Sequence, residues 1–168
     1  MAITKLKGTE IKTNGDLPKV GKPAPAFTLT NNDLEDVSLE DFLGEKIIMN
    51  IFPSLDTPVC STSVRRFNSE AEKLPKTKVL CISRDLPFAQ KRFCGAEGLD
   101  NVITLSELRD TNFSDAYGVR LTEGPMRSLL ARVVIILDEE GIVRYVQLVP
   151  EITQEPNYEH ALNNLNQI

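Results

Sequence analysis

The chain has 168 residues, 41% of them hydrophobic, and its 19 basic and 24 acidic side chains give a net charge of −5. This length predicts one domain spanning residues 1–168. No stretch approaches the ~20 apolar residues of a membrane span, the first residues lack the apolar core of a signal peptide, and the acidic balance argues against a nucleic-acid surface. We therefore expect a cytoplasmic protein that binds neither nucleic acid nor membrane.

Four elements are predicted within residues 1–52, each from apolar residues bounded by turn formers. In chain order they are a hairpin around Gly8 (3–11), a strand (27–30), a short helix capped by Ser38 and stopped by Gly44, and a second strand (46–52). The second strand is apolar, rich in β-branched residues and ended by Pro53, which is typical of a buried strand.

The next predicted helix has Thr57 as its N-cap and Pro58 at its first position, and it extends to about Leu74. This arrangement places Cys60 in the first turn, where unpaired N–H groups and the positive end of the helix dipole stabilise a thiolate. The thiolate is the nucleophilic form of cysteine. A structural interpretation stays open at this point, because a lone cysteine is often a small apolar filler.

The rest of the chain alternates strands and helices and then changes character. The predicted elements are a strand (78–83), a helix (86–94) ended by Gly95, a strand (102–105), a helix (112–117) closed by Gly118, a hairpin (132–137 with 142–149) and a final helix (158–165). This order predicts an α/β protein with a mixed central sheet covered by helices on both faces. It is the element order of a thioredoxin-like fold with an N-terminal β-hairpin extension.

The chain has three cysteines, Cys60, Cys81 and Cys94, and no two of them are spaced as Cys-x-x-Cys. A zinc site and a dithiol motif therefore lack support. Cys81 lies in the middle of a predicted strand, where burial keeps a thiol inert. The only histidine, His160, is predicted to be a solvated helix residue, which argues against a cysteine–histidine hydrolase. There is no glycine-rich phosphate loop to support nucleotide binding.

Pro53, Thr57 and Cys60 form the pattern Pro-x-x-x-Thr-x-x-Cys, which resembles the active-site motif of the peroxiredoxins. The resemblance covers most of the chain and is specific to the bacterial thiol peroxidases, which are atypical two-cysteine peroxiredoxins. The segments that carry it are 50–54, 86–90, 92–99 and 101–105. It implies a peroxidase that reduces hydrogen peroxide or organic hydroperoxides with no metal and no other cofactor.

The same resemblance assigns the site residues. Cys60 matches the peroxidatic cysteine, which becomes a sulfenic acid, and Cys94 matches the resolving cysteine, which forms an intramolecular disulfide with it. Thr57 and Arg132 match active-site residues, and Pro53 shapes the loop and shields the thiolate. The resemblance further implies thioredoxin as the reductant and a homodimer as the assembly.

Structural roles remain open for three of these residues. Thr57 can be a plain helix cap, Arg132 a charge that extends from a strand end to solvent, and Cys94 a partly buried filler. Two other functions also remain open, a redox sensor that uses the same cysteines and a thioredoxin-like scaffold with inert cysteines. The apolar residues that either line a substrate mouth or belong to the core are Phe52, Phe67, Phe93 and those around 124–126.

Cys60 and Cys94 are predicted to lie in different helices. Packed helices have axes about 8–10 Å apart, whereas a disulfide needs Cα atoms within about 4.4–6.8 Å. We therefore expect the two thiols to be too far apart to bond in the reduced protein.

Overall fold

A seven-stranded mixed sheet forms the centre of the fold in the computed structural model, which describes residues 1–168. Its strands are β3 (Thr28–Thr30), β4 (Asp36–Ser38), β5 (Lys46–Ile51), β6 (Thr77–Ser83), β7 (Ile103–Ser106), β8 (Val133–Leu137) and β9 (Val143–Leu148). They lie in the order β4-β3-β7-β6-β5-β8-β9, in which β5, β6 and β7 are parallel and the other pairings are antiparallel. Two further strands, β1 (Ile3–Leu6) and β2 (Thr9–Lys12), form the predicted N-terminal hairpin.

Helices cover both faces of this sheet. They are α1 (Pro58–Ala71), α2 (Pro87–Glu97), α3 (Asn112–Tyr117), α4 (Tyr158–Leu165) and a short 3₁₀ helix (Leu39–Phe42). Side chains of β5 alternate between two cores, so that Ile47 and Met49 pack with α3 and the 3₁₀ helix, whereas Ile48 packs with α1, α2 and α4. The predicted thioredoxin-like arrangement is confirmed. None of the helices combines the length and the apolar character that crossing a bilayer requires.

The C-terminal end of α2 differs from the prediction. The helix does not stop at Gly95 but continues to Glu97, and Gly98 then adopts the left-handed conformation (φ 65°) that ends it. The N–H of Leu99 donates to the carbonyl of Cys94 at 2.9 Å, which closes this end. Cys94 therefore lies inside an ordered helix rather than at a frayed terminus, because a glycine in a helix interior does not by itself end the helix.

Two smaller differences concern the end of α1 and the short strand β4. Helix α1 ends at Ala71 rather than at Leu74, and the short strand β4 was not predicted. Strand β4 is only three residues long and pairs with β3 across a turn at 31–35, so it contains too few residues to show an alternating pattern.

Candidate active site

All three cysteines face the core that α1, α2 and α4 form on one side of the sheet, and all three are free thiols. Cys60 and Cys81 are fully buried, and Cys94 is partly buried at the edge of the same core. The fold thus places the two predicted site cysteines, Cys60 of α1 and Cys94 of α2, on the same side of the sheet, and no disulfide joins them.

Arg132 reaches Cys60 from the start of β8, which lies beside the end of β5, the strand that precedes α1. It precedes β8, and because side chains alternate along a strand it faces the same side as Val134, toward the cysteines. The Nη2 of Arg132 donates to the Sγ of Cys60 at 3.3 Å, and its Nε donates to the carbonyl of Ile152 at 2.8 Å. Its Nη1 is buried and has no partner. The arginine is 2% exposed, so the alternative in which it extends to solvent is wrong.

Thr57 occupies the predicted N-cap position of α1, with an extended backbone (φ −102°, ψ 143°). Its hydroxyl does not cap the helix, however, and donates instead to the carbonyl of Ser54 at 2.9 Å. The backbone N–H of Thr57 donates to the same carbonyl at 3.2 Å, so the turn at 54–57 draws the side chain away from the helix amides. Pro53, the residue before this turn, is buried.

The turn is tied to the end of β6 by Asp85, a residue that the sequence pattern alone did not identify as part of the site. Its carboxylate accepts hydrogen bonds from the hydroxyl of Ser54 at 2.7 Å, the N–H of Leu55 at 2.8 Å and the hydroxyl of Ser83 at 2.7 Å. Because β5 and β6 are parallel and adjacent, the segments after both strands meet at one edge of the sheet. A polar run directly after a buried strand was therefore the signal that could have identified this residue.

Cys81 lies at the centre of β6, opposite Asn50 of β5. Burial raises the pKa of its thiol to about 12, and the amide of Asn50, 3.9 Å from the sulfur, offsets only part of this effect. A thiol with this pKa is protonated at neutral pH and is a poor nucleophile.

Cys94 differs from Cys81 in its surroundings. Partial burial raises the pKa of its thiol, and the nearby side chain of Thr104 opposes this shift. The side chain lies at the margin of the core, so it needs less rearrangement than Cys81 to reach solvent. His160, by contrast, is exposed on α4, and its ring Nδ1 lies 3.4 Å from the hydroxyl of Tyr145 rather than beside a cysteine.

A cavity of about 480 Å³ opens beside Arg132 and the start of α1. Its walls are Leu6, Lys7, Thr57, Pro58, Val59, Met126, Arg132, Ile152 and Thr153. Of the apolar residues that were left open between a substrate mouth and the core, Met126 lines this cavity, whereas Phe52 and Phe67 are fully buried in the core. A larger cavity, of about 620 Å³, lies beside the turn between β8 and β9 and includes none of the site residues.

The N-terminal hairpin supplies Leu6 and Lys7 to this cavity and is held in place by Glu151. The carboxylate of Glu151 accepts from the N–H of Gly8 at 2.9 Å and from the N–H and hydroxyl of Thr153 at 3.1 and 3.0 Å. These donors, with Thr153 the strongest, lower the pKa of Glu151 to about 2. The adjacent Ile152 donates its N–H to the carbonyl of Lys5 at 2.8 Å, and its own carbonyl is the acceptor for Arg132.

Comparisons with known proteins identify the family of the chain. A family model described as Redoxin matches residues 19–162. Thiol peroxidases from Mycobacterium tuberculosis and Mycobacterium bovis are each 56% identical to the chain over 162 residues, which make up 96% of this chain and 97% of theirs. The chain belongs to the thiol peroxidase family. The resemblance inferred from Pro53, Thr57 and Cys60 is thereby confirmed.

Solved structures extend the comparison to the fold of the family. A peroxiredoxin-like protein from Aquifex aeolicus superposes with a TM-score of 0.93 at 40% identity, covering 99% of this chain and 97% of its own. A thiol peroxidase from Chromobacterium violaceum gives a TM-score of 0.91 at 23% identity over 99% of this chain and 97% of its own, which is a likeness of fold. The Redoxin match begins at residue 19, so the hairpin that borders the thiol peroxidase cavity lies outside it.

Proposed function

We propose that this thiol peroxidase reduces hydroperoxides through a Cys60 sulfenic acid and a Cys60–Cys94 disulfide. The observation that carries the proposal is the contact between Arg132 and Cys60, in which Nη2 lies 3.3 Å from the sulfur. This contact lies beside a cavity, and Nη1 of the same guanidinium has no partner. An arginine buried without a carboxylate needs another negative charge nearby, and a Cys60 thiolate supplies it.

In the first step, the Cys60 thiolate attacks the terminal oxygen of the hydroperoxide. A sulfur–oxygen bond forms while the oxygen–oxygen bond breaks, the sulfur loses two electrons, and the departing oxygen takes up a proton and leaves as an alcohol or as water. The free Nη1 donor of Arg132 is available to stabilise the charge on the peroxide oxygens. Thr57 lines the cavity and can turn its hydroxyl from Ser54 to the substrate, and Pro53 closes the loop without adding a proton donor.

In the second step, the thiolate of Cys94 attacks the Cys60 sulfenic acid. The disulfide forms, the sulfur–oxygen bond breaks, and water leaves with the hydroxyl group and a proton. Cys94 suits this role better than Cys81, because it lies at the margin of the core whereas Cys81 is fully buried in a central strand.

A cytoplasmic thioredoxin is the proposed reductant.

The proposed assembly is a homodimer. Three apolar side chains are exposed on two neighbouring segments, those of Leu86, Phe88 (67% exposed) and Leu108. The hydroxyl of Ser106 joins the two segments by donating to the carbonyl of Asp85. Covering such a group of apolar side chains with a second copy would remove them from water. Sedimentation of the wild-type protein and of Phe88→Asp tests the dimer, since the substitution should shift it toward monomer.

A steady-state assay with thioredoxin, thioredoxin reductase and NADPH tests the function. We expect many turnovers of NADPH per protein molecule with hydrogen peroxide or an alkyl hydroperoxide. A single turnover followed by a stable disulfide would indicate a redox sensor instead, and no reaction would indicate a scaffold. Omission of thioredoxin from the same assay identifies the reductant.

A further inference from the structure

Arg65 of α1 contacts α2 on both sides of Cys94. Its Nε and Nη2 donate to the two carboxylate oxygens of Glu97 at 3.1 and 2.9 Å. Its guanidinium carbon also lies 5.7 Å from the centre of the Phe93 ring, within cation–π range. Phe93 directly precedes Cys94, and Glu97 follows Cys94 by nearly one helical turn. We call these two contacts the Arg65 bridge.

The bridge joins the two helices that carry the reacting cysteines. Arg65 is on the same helix as Cys60, and its Nη1 lies 3.4 Å from the hydroxyl of Ser61, the residue after Cys60. The charges of the bridge act on each other, since Glu97 raises the pKa of Arg65 and Arg65 lowers the pKa of Glu97. Farther along α1, the side chain of Asn68 accepts the N–H of Asn101 at 2.8 Å, which fixes the segment after α2.

We propose that the Arg65 bridge holds the end of α2 against α1 and thereby sets the rate at which the Cys60 sulfenic acid is converted to the disulfide. This inference rests on the proposed function. Because the axes of packed helices lie about 8–10 Å apart and a disulfide needs Cα atoms within about 4.4–6.8 Å, we expect Cys94 to leave its helical position to reach Cys60 and its neighbours Phe93 and Glu97 to move with it. Each contact of the bridge is broken by that movement, so the bridge slows the second step and leaves the first step unchanged.

The bridge consequently decides between two fates of the sulfenic acid. Attack by Cys94 forms the disulfide and releases water. Attack of the sulfenate sulfur on a second hydroperoxide forms a second sulfur–oxygen bond while the oxygen–oxygen bond breaks, gives the sulfinic acid and releases an alcohol or water, and this product is not recovered by thioredoxin. A slower disulfide step gives the second hydroperoxide more time, so the bridge makes the enzyme easier to inactivate at high peroxide concentrations.

The decisive variant is Glu97→Gln, which removes the charge and keeps the size of the side chain. The chain offers a matched control in Glu70→Gln. Arg66, the residue after Arg65, also pairs with a glutamate and also lies over an aromatic ring: it pairs with Glu70 within α1, and its guanidinium carbon is 5.1 Å from the centre of the Tyr158 ring of α4. The two arginine side chains are about equally exposed, at 45% and 48%, but the Arg66–Glu70 pair lies within one helix and does not hold α2. Arg65→Lys, which keeps the charge and loses the planar fork, should fall between wild type and Glu97→Gln.

Stopped-flow mixing of reduced protein with one equivalent of peroxide measures both steps. In Glu97→Gln we expect an unchanged rate of sulfenic acid formation and a disulfide step faster by roughly two- to fivefold, the range of an exposed ion pair. The sulfinic fraction at excess peroxide, measured by mass spectrometry, should fall by the same factor. Salt at about 0.5 M should speed the disulfide step of wild type and not that of Glu97→Gln.

Glu70→Gln should match wild type in every one of these measurements. An equal or slower disulfide step in Glu97→Gln, with wild type forming the disulfide normally, overturns the role of the bridge and leaves the proposed function intact. Equal acceleration by Glu70→Gln also overturns it, because the effect would then be one of surface charge. Absence of a Cys60–Cys94 disulfide in wild type instead overturns the proposed function itself.

Discussion

The Nη2 of Arg132 donates to the Sγ of Cys60 over 3.3 Å, and the two side chains are 2% and 0% exposed. A guanidinium this deeply buried carries a large desolvation cost, which a role in packing alone does not offset. Its Nη1 has no acceptor, and an unpaired buried donor costs a further ~1–3 kcal/mol. Both costs are offset at a site where a thiolate pairs with Nη2 and a ligand oxygen accepts from Nη1.

Substitution of Arg132 should therefore impair the reaction with peroxide. Arg132→Lys keeps a charge but cannot reach Ile152 and Cys60 together, and Arg132→Ala removes both contacts. We expect kcat/KM for peroxide to fall about 10²- to 10³-fold in Arg132→Ala, as for the loss of a charge-stabilising donor, and somewhat less in Arg132→Lys. The rate of Cys60 alkylation by iodoacetamide at neutral pH should fall in Arg132→Ala, because the sulfur loses its neighbouring positive charge. Arg66→Lys serves as the surface control, and unchanged kinetics together with an unchanged alkylation rate would reduce Arg132 to a structural residue.

Substitution of each of the three cysteines should have a different effect on peroxide consumption. Cys60→Ser should abolish peroxide consumption, because a serine hydroxyl is a far weaker nucleophile at neutral pH than a thiolate. Cys94→Ser should complete one rapid turnover and stop at the sulfenic acid, and Cys81→Ser should remain active. Trapping with dimedone and mass spectrometry identifies the stalled species. Normal cycling of Cys94→Ser with thioredoxin, together with an inactive Cys81→Ser, would reverse the two roles.

Asp85 should be needed to hold the loop that precedes Cys60. Asp85→Asn keeps the size of the side chain but loses one of the acceptors for the hydroxyl of Ser54 and the N–H of Leu55. We expect a loss of ~1–3 kcal/mol of unfolding free energy, since buried partners are left unpaired, and about a tenfold lower kcat/KM. Asp138→Asn is the control, because Asp138 binds two backbone amides in the turn between β8 and β9, outside the cavity. An equal loss of activity in both variants would assign the effect to stability alone.

The pKa of Cys81, raised by burial to about 12, predicts a loss of stability at alkaline pH. The unfolded chain releases this proton near pH 9, whereas the folded protein keeps it until about pH 12. The contribution is therefore fully present below pH 9 and declines as the pH rises from 9 to 12, by up to about 4 kcal/mol. Urea unfolding of wild type and Cys81→Ala across this range measures it. Burial also raises the pKa of Tyr117 and of Tyr158, but these residues are common to both proteins, so parallel curves would contradict the prediction.

The parts of the fold that follow from local pattern were predictable. The runs at β5, β6 and β8 are continuous and apolar because these strands are buried on both faces, and helix α4 was predicted with its observed ends. The end of α2 was not predictable in the same way. Gly95 and Gly98 are both compatible with a helix end, and only the tertiary setting decides which of them adopts a positive φ.

The site was predictable where one residue and its neighbours along the chain define it. Cys60 and Thr57 take their positions from the strand and helix that flank them. The roles of Asp85 and Glu151 depend instead on partners distant in sequence, such as Ser54 for the first and Gly8 for the second. Such contacts depend on strand order and loop geometry, which the sequence pattern does not encode locally. For this reason the anchoring of the loop and of the hairpin was found only in the structure.

Oxidation should unwind the helix ends that hold Cys60 and Cys94. In the reduced protein the N–H of Ser61 donates to the carbonyl of Thr57 at 3.0 Å, and the N–H of Leu99 donates to the carbonyl of Cys94 at 2.9 Å. The first bond closes the turn that contains Cys60, and the second closes α2 after Cys94. A disulfide requires Cα atoms within about 4.4–6.8 Å, whereas the axes of packed helices lie about 8–10 Å apart, so we expect at least one of these two ends to open to let the sulfurs meet. Opening a helix end costs far less than global unfolding, which makes the change accessible.

Hydrogen exchange on the reduced and disulfide forms tests this expectation directly. Protection should fall in segments 57–63 and 88–96, with the amides of Ser61 and Leu99 as the most specific reporters, and it should be retained in β5 and in α4. Cys94→Ser treated with peroxide is the control, because it reaches the sulfenic acid without forming the disulfide and should keep the protection of the reduced protein. Equal protection of both segments in the reduced and disulfide forms would mean that the sulfurs already lie within bonding reach, and the proposed movement would then be unnecessary.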